Sequence, residues 1–144
     1  MKPVLLVEDN DDDIFFMRRA FRNASIINPM IVLQDGQNAI DYLGGDGAYA
    51  DRNEHPLPGL VLLDIKLPLR TGFEVLHWIR TDPRLNLMVV VVLTTSSETI
   101  DIDAAYRLGA NSYLVKPPSP ASLLELTKTL KLYWLELNRR PSQP

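Results

Sequence analysis

Leu60-Val61-Leu62-Leu63-Asp64-Ile65-Lys66-Leu67-Pro68 carries four apolar residues without interruption into one carboxylate, and a proline follows four positions later. So short a run without polar alternation predicts a strand buried on both faces, as in a parallel sheet. Asp64 then falls at the strand's C-terminal end, the edge of an open α/β sheet where ligand sites form.

Working outward, the chain repeats this arrangement. Pro3–Val7 reads as a first buried strand ending in Glu8-Asp9. Asn10 or Asp11 can cap the helix that follows, with Ile14, Met17, Ala20 and Phe21 at helical spacing. Asp11 to Asp13 read as a solvated helix entry. Met30–Leu33 forms a second strand, and Ala39, Ile40 and Leu43 mark a second helix ending at Gly44-Gly45. Gly45–Gly59 is a long polar loop, either a functional insertion or mobile. Past Asp64, Thr71 and Glu74 stand in capping-box spacing and open a third helix, which Asp82-Pro83 stops.

Met88–Leu93 is a fourth strand that gives way to Thr94-Thr95-Ser96-Ser97. Thr95, Ser96 and Ser97 compete to cap the next helix, which Gly109 closes. Ser112–Val115 is a fifth strand running into Lys116-Pro117. Ser119, with Pro120 at the first helical position, starts a last helix striped by Leu123, Leu126, Leu130, Tyr133, Trp134 and Leu137. Five strands alternating with five helices predict a doubly wound α/β domain with a parallel sheet. It covers residues 1–138, with a disordered tail at 139–144.

The bulk properties narrow the function. A net charge of −3 over 144 residues gives no general reason to bind nucleic acid or an anionic membrane. The absence of cysteine excludes disulfides and thiolate metal sites. No apolar stretch approaches the roughly 18 residues that span a bilayer. A cytoplasmic location is the expectation.

A parallel sheet gathers Glu8, Asp9, Asp64, Thr94 and Lys116 along one edge. Three converging carboxylates repel one another and need a cation to offset the cost. Mg²⁺, which takes oxygen ligands and requires only one or two carboxylates plus phosphate and water, suits them. The Lys116 ammonium and Thr94 hydroxyl are donors suited to phosphoryl oxygens. A carboxylate nucleophile, a metal, a lysine and a hydroxyl describe phosphoryl transfer onto Asp64. His55 and His77 lie apart, on a loop and a helix, and Gly44–Gly47 follows a helix, so it is no phosphate-binding loop.

Four motifs, Leu5-Leu6-Val7-Glu8-Asp9-Asn10, Leu60–Pro68, Leu93-Thr94-Thr95-Ser96 and Ser112-Tyr113-Leu114-Val115-Lys116-Pro117, resemble those of the receiver domain of bacterial response regulators, the CheY-like family, from about residue 3 to 138. The resemblance implies a flavodoxin-like sheet of order 2-1-3-4-5. It implies a single-domain regulator of a two-component system or phosphorelay, with no output domain, that catalyses only its own phosphorylation and dephosphorylation. Asp64 would accept a phosphoryl group from a phosphohistidine on a sensor histidine kinase or phosphotransfer protein. Glu8, Asp9, Asp64 and the backbone carbonyl of Lys66 would hold Mg²⁺. Thr94 and Lys116 would contact the phosphoryl group, Tyr113 would swing inward when Thr94 moves, and Pro117 matches a proline usually preceded by a cis bond. Lys66 and Ser96 occupy the family's two variable positions that tune dephosphorylation. The long loop and extended last helix resemble regulators of phytochrome-type kinases, and the last helix offers a homodimer contact through the C-terminal face.

Three alternatives stand beside this. An aspartyl phosphatase wants an acid two positions after its nucleophile, where this chain has Lys66. Cofactor binding of the flavodoxin kind fits the fold, but the acids at the sheet edge repel a cofactor phosphate. A phosphorylation-independent pseudo-receiver, acting only as a protein-binding module, usually lacks the acid pair, the aspartate or the lysine, and all are present here.

Overall fold

The computed structural model describes residues 1–142. Five strands, β1 (Val4–Val7), β2 (Met30–Leu33), β3 (Leu60–Leu63), β4 (Val90–Thr94) and β5 (Ser112–Val115), form one parallel sheet of order β2-β1-β3-β4-β5. Five helices connect and follow them: α1 (Asp11–Asn23), α2 (Gly36–Gly44), α3 (Gly72–Thr81), α4 (Thr99–Arg107) and α5 (Pro120–Leu130).

The unbroken apolar runs have a direct cause. Along each central strand, successive side chains enter opposite layers. Leu5, Val7, Val61, Leu63, Val90 and Val92 pack among residues of α2, α3 and α4. Leu6, Leu60, Leu62, Val91 and Leu93 pack on Met17, Phe21, Leu123 and Leu130 of α1 and α5. With both faces covered, polar alternation would leave unpaired groups in the core.

Local chemistry sets the helix starts. Asn10 and Asp35 accept from the backbone N–H of Asp13 and Asn38, at 2.9 and 2.6 Å. Thr71 and Glu74 form the reciprocal capping box, both bonds 3.2 Å. Ser119 caps α5 ahead of Pro120. The start of α4 differs from expectation: Glu98 stands at the cap with no side-chain bond, and none of Thr95, Ser96 or Ser97 serves. The Ser96 hydroxyl is committed instead to the Asp101 carboxylate at 2.5 Å.

Gly45–Gly59 is a folded strap. Gly45, at φ 71°, ends α2 in the left-handed conformation that favours glycine. The Arg52 guanidinium donates to the carbonyls of Tyr42, Leu43 and His55 at 2.8, 2.8 and 3.1 Å, satisfying the open end of α2. His55 meets the Tyr42 and Tyr49 rings edge-on, the two tyrosines are tilted against each other, and the Tyr42 hydroxyl donates to the Pro56 carbonyl.

At the C-terminus α5 widens into a π-helical segment, Lys131–Leu137. The apolar stripe therefore turns off the core after Leu130: Trp134 packs against the α1–α5 layer, while Tyr133 and Leu137 are exposed. Of the tail expected to be disordered, Arg140 lies against Gly59, and Gln143 and Pro144 fall outside the described residues. No helix among the described residues is long and apolar enough to cross a membrane.

Candidate phosphoacceptor and metal site

Strand register brings the candidate residues together. Val7 pairs with Leu63, Leu63 with Val92, and Thr94 with Val115, so the residues just beyond these positions share one edge. Glu8 and Asp64 are buried there, Thr94 is completely enclosed, and Asp9 is exposed at the rim. Carboxylate oxygens of Glu8, Asp9 and Asp64 lie within 4.8 Å of one another.

Asp64 is held through both oxygens. Its Oδ1 accepts from the Thr94 hydroxyl at 2.8 Å and the Lys66 backbone N–H at 3.2 Å. Its Oδ2 accepts from Lys116 Nζ at 3.3 Å. The same ammonium donates to Glu8 and, at 3.0 Å, to Asp13 Oδ2. The other Glu8 oxygen accepts from the Asn10 N–H at 3.1 Å.

One ammonium thus faces three carboxylates. Burial pushes the Glu8 carboxyl up to about 7; the Lys116 bond and charge oppose the rise, and the Asp64 charge adds to it. For Lys116, burial works against the charged form, but the bond to Glu8 and the charges of Asp64 and Glu8 outweigh it and hold the ammonium above its ordinary range. Glu8, Asp9 and Asp64, two of them buried and the third at the rim, bring carboxylate oxygens close enough to share one ion, and this oxygen donor set fits a hard divalent metal.

A raised Glu8 makes cation binding pH-dependent. Folded Glu8 retains a proton that the unfolded chain releases above its ordinary value of 4.5, so the metal-free fold loses stability as pH rises through about 7. A carboxylate ligand must be deprotonated, so affinity for a divalent cation is expected to rise about tenfold from pH 6 to pH 8. Calorimetric titration at the two pH values reads this directly; equal affinities would remove Glu8 from the ligand set.

Tyr113 lies half-buried on β5, its hydroxyl donating to the Ser96 carbonyl at 2.9 Å, and burial raises its phenol above the usual range. It therefore touches the loop that follows Thr94. The peptide bond before Pro117 is trans, contrary to the expectation from the resemblance. Trans is the lower-energy isomer by about 0.5–1 kcal/mol even before proline, and Lys116 reaches the acids with it. His55 and His77 stand apart from the site.

Asp13 departs from the solvated helix entry that its acidic neighbours suggest. It was expected in solvent, yet it bonds Lys116. Its position one turn before Met17, on the buried stripe of α1, is the signal for this contact. Beside Asp13 and Lys116 a cleft of about 320 Å³ opens between α1 and α5, lined also by Phe16, Thr95, Pro117 and Leu123.

Comparison with known proteins places the chain in a family. The response regulator receiver domain family matches residues 4–128. The probable methanogenesis regulatory protein FilR2 of Methanothrix harundinacea is 41% identical over 138 residues, 96% of this chain and 86% of that protein. Response regulator Rcp1 of Synechocystis is 36% identical over 141 residues, 98% of this chain and 94% of Rcp1. Its Mn²⁺-bound crystal structure superposes with a TM-score of 0.88, covering 99% of this chain and 100% of that one. The phosphorylated cyanobacterial phytochrome response regulator RcpA superposes at 0.90, with 37% identity and coverage of 98% and 99%. With the family model spanning residues 4–128, a matching fold and relatives covered nearly end to end, the chain belongs to the response regulator receiver domain family.

Proposed function

We propose that Asp64 accepts a phosphoryl group from a phosphohistidine of a sensor histidine kinase or phosphotransfer protein, and that the modification switches partner binding. The observation that carries this is the joint hold of Thr94 and Lys116 on the two oxygens of one buried carboxylate beside two further acids.

Glu8, Asp9 and Asp64, with the Lys66 carbonyl, would hold Mg²⁺, whose charge offsets that of the incoming phosphoryl oxygens. Asp64 attacks phosphorus: an O–P bond forms, the N–P bond of the donor breaks, and its electron pair stays on the imidazole nitrogen. Lys116 and Thr94, already hydrogen-bonded to the carboxylate, turn their donors to the phosphoryl oxygens. Moving the Thr94 hydroxyl off Asp64 pulls on the loop to Ser96, whose carbonyl holds Tyr113. The added charge thereby biases a two-state element at β4, β5 and the start of α4. The chain catalyses only its own phosphorylation and dephosphorylation.

The likeness to RcpA supports a phytochrome-type kinase as donor. Leu132, Tyr133 and Leu137, each at least half exposed, support a homodimer contact on the C-terminal face. A light-scattering mass that stays monomeric with and without phosphorylation removes that contact.

Intact-protein mass after incubation with acetyl phosphate and Mg²⁺ tests the central reading. One phosphoryl group gained, and none after chelation, is the expected result. If neither acetyl phosphate nor a phosphorylated histidine kinase modifies the chain, it is a binding-only pseudo-receiver.

A further inference from the structure

Asp13 takes no part in the chemistry described above, yet it holds one of the three bonds of the central ammonium. Lys116 Nζ has three N–H donors and no more. They go to Glu8, to Asp13 Oδ2 at 3.0 Å and to Asp64 Oδ2 at 3.3 Å, the Asp64 bond being the longer of the last two. Glu8 and Asp64 belong to the acid triad, and a divalent cation there competes with Lys116 for both. Asp13 lies outside the triad. It stands in the first turn of α1, with its own N–H bonded to the Asn10 side chain, so the helix start fixes where its carboxylate sits. That carboxylate is about one-third exposed, on the cleft between α1 and α5 that opens over Lys116.

We infer that Asp13 is a positioning residue that competes with the phosphoryl group for Lys116, drawing the ammonium toward the rim of the cleft and weakening its hold on phosphorylated Asp64. The inference rests on the reading of Asp64 as phosphoryl acceptor. A phosphoryl group bound at Asp64 must recruit Lys116 from a partner that remains charged and in place. Removing that charge frees the ammonium and also removes a negative group from the approach of an anion.

Beryllofluoride, which binds a carboxylate oxygen as a phosphoryl mimic, measures this at equilibrium. Its affinity for wild type, Asp13→Asn and Asp13→Glu is compared at saturating Mg²⁺, with thermal melts to verify that each variant is folded. Asn keeps the backbone bond at the helix start and drops only the charge. The expected result is binding tighter by about fivefold in Asp13→Asn, the order of one partly exposed ion pair, with Asp13→Glu within twofold of wild type. Unchanged or weaker binding in Asp13→Asn overturns the inference. Equal tightening in both variants also overturns it, because the effect would then come from a loosened rim and not from charge. Wild type that binds no beryllofluoride would remove the acceptor reading itself and the inference with it, a result distinct from normal wild-type binding that Asp13→Asn leaves unaltered.

Discussion

Asp64→Asn is expected to lose all phosphoryl uptake while keeping the fold. Asparagine has the volume and shape of aspartate, and its carbonyl oxygen can still accept from the Thr94 hydroxyl and the Lys66 N–H. What it lacks is a nucleophilic oxygen carrying charge. It also sets an amide N–H₂ against the Lys116 ammonium, donor to donor, so Lys116 shifts its bonding toward Glu8 and Asp13. Two carboxylates remain for the cation in place of three. Loss of partners outside the ligand shell alone costs tenfold or more in metal affinity, so the loss of a ligand is expected to cost at least about tenfold here. Intact mass after treatment with acetyl phosphate and a Mg²⁺ titration give the two readouts. A variant that still gained one phosphoryl group would move the acceptor to another residue.

The sheet and most of the site were legible because strand ends are a one-dimensional property. An apolar run stops where the core stops, and in a parallel sheet those stops share one edge, so Glu8, Asp64, Thr94 and Lys116 could be brought together from spacing alone. The caps at Thr71–Glu74 and Ser119–Pro120 were legible for the same reason, since each depends on residues three or fewer positions apart. What escaped depends on contacts remote in sequence or on a choice between near-equal partners. Arg52 folds the long loop by reaching carbonyls at Tyr42 and Leu43, and nothing in the local composition of the loop announces that reach. Ser96 had the chemistry of a cap but found Asp101 instead. Asp13 looked solvated among its acidic neighbours because its partner, Lys116, comes more than a hundred residues later. Fold class could not have separated a phosphoacceptor from a cofactor site; the side chains at the edge did.

Gly72→Ala is expected to damage the fold heavily for the single methyl group it adds. The first turn of α3 sits directly on the chain leaving β3, with the Gly72 N–H bonded to the Ile65 carbonyl at 3.0 Å. A Cβ at Gly72 would lie 2.6 Å from Ile65 Cα and closer still to the Asp64 carbonyl oxygen. Both obstacles are backbone, so neither can rotate away as a side-chain tip would. The helix start or the Asp64–Ile65 segment has to move. Overpacking in a filled interior costs 1–3 kcal/mol, and with backbone on both sides the expected loss is about 3 kcal/mol, visible as a lower urea midpoint at unchanged slope. The functional loss should be larger than the lost stability explains. Any shift of the Asp64 backbone also moves its carboxylate relative to Thr94 and Lys116, whose bonds of 2.8 and 3.3 Å leave little slack. Under conditions where the variant is fully folded, phosphorylation by acetyl phosphate should therefore be slower than in wild type. If stability falls and the folded variant is modified at the wild-type rate, the displacement is confined to α3 and the acceptor does not depend on this close approach.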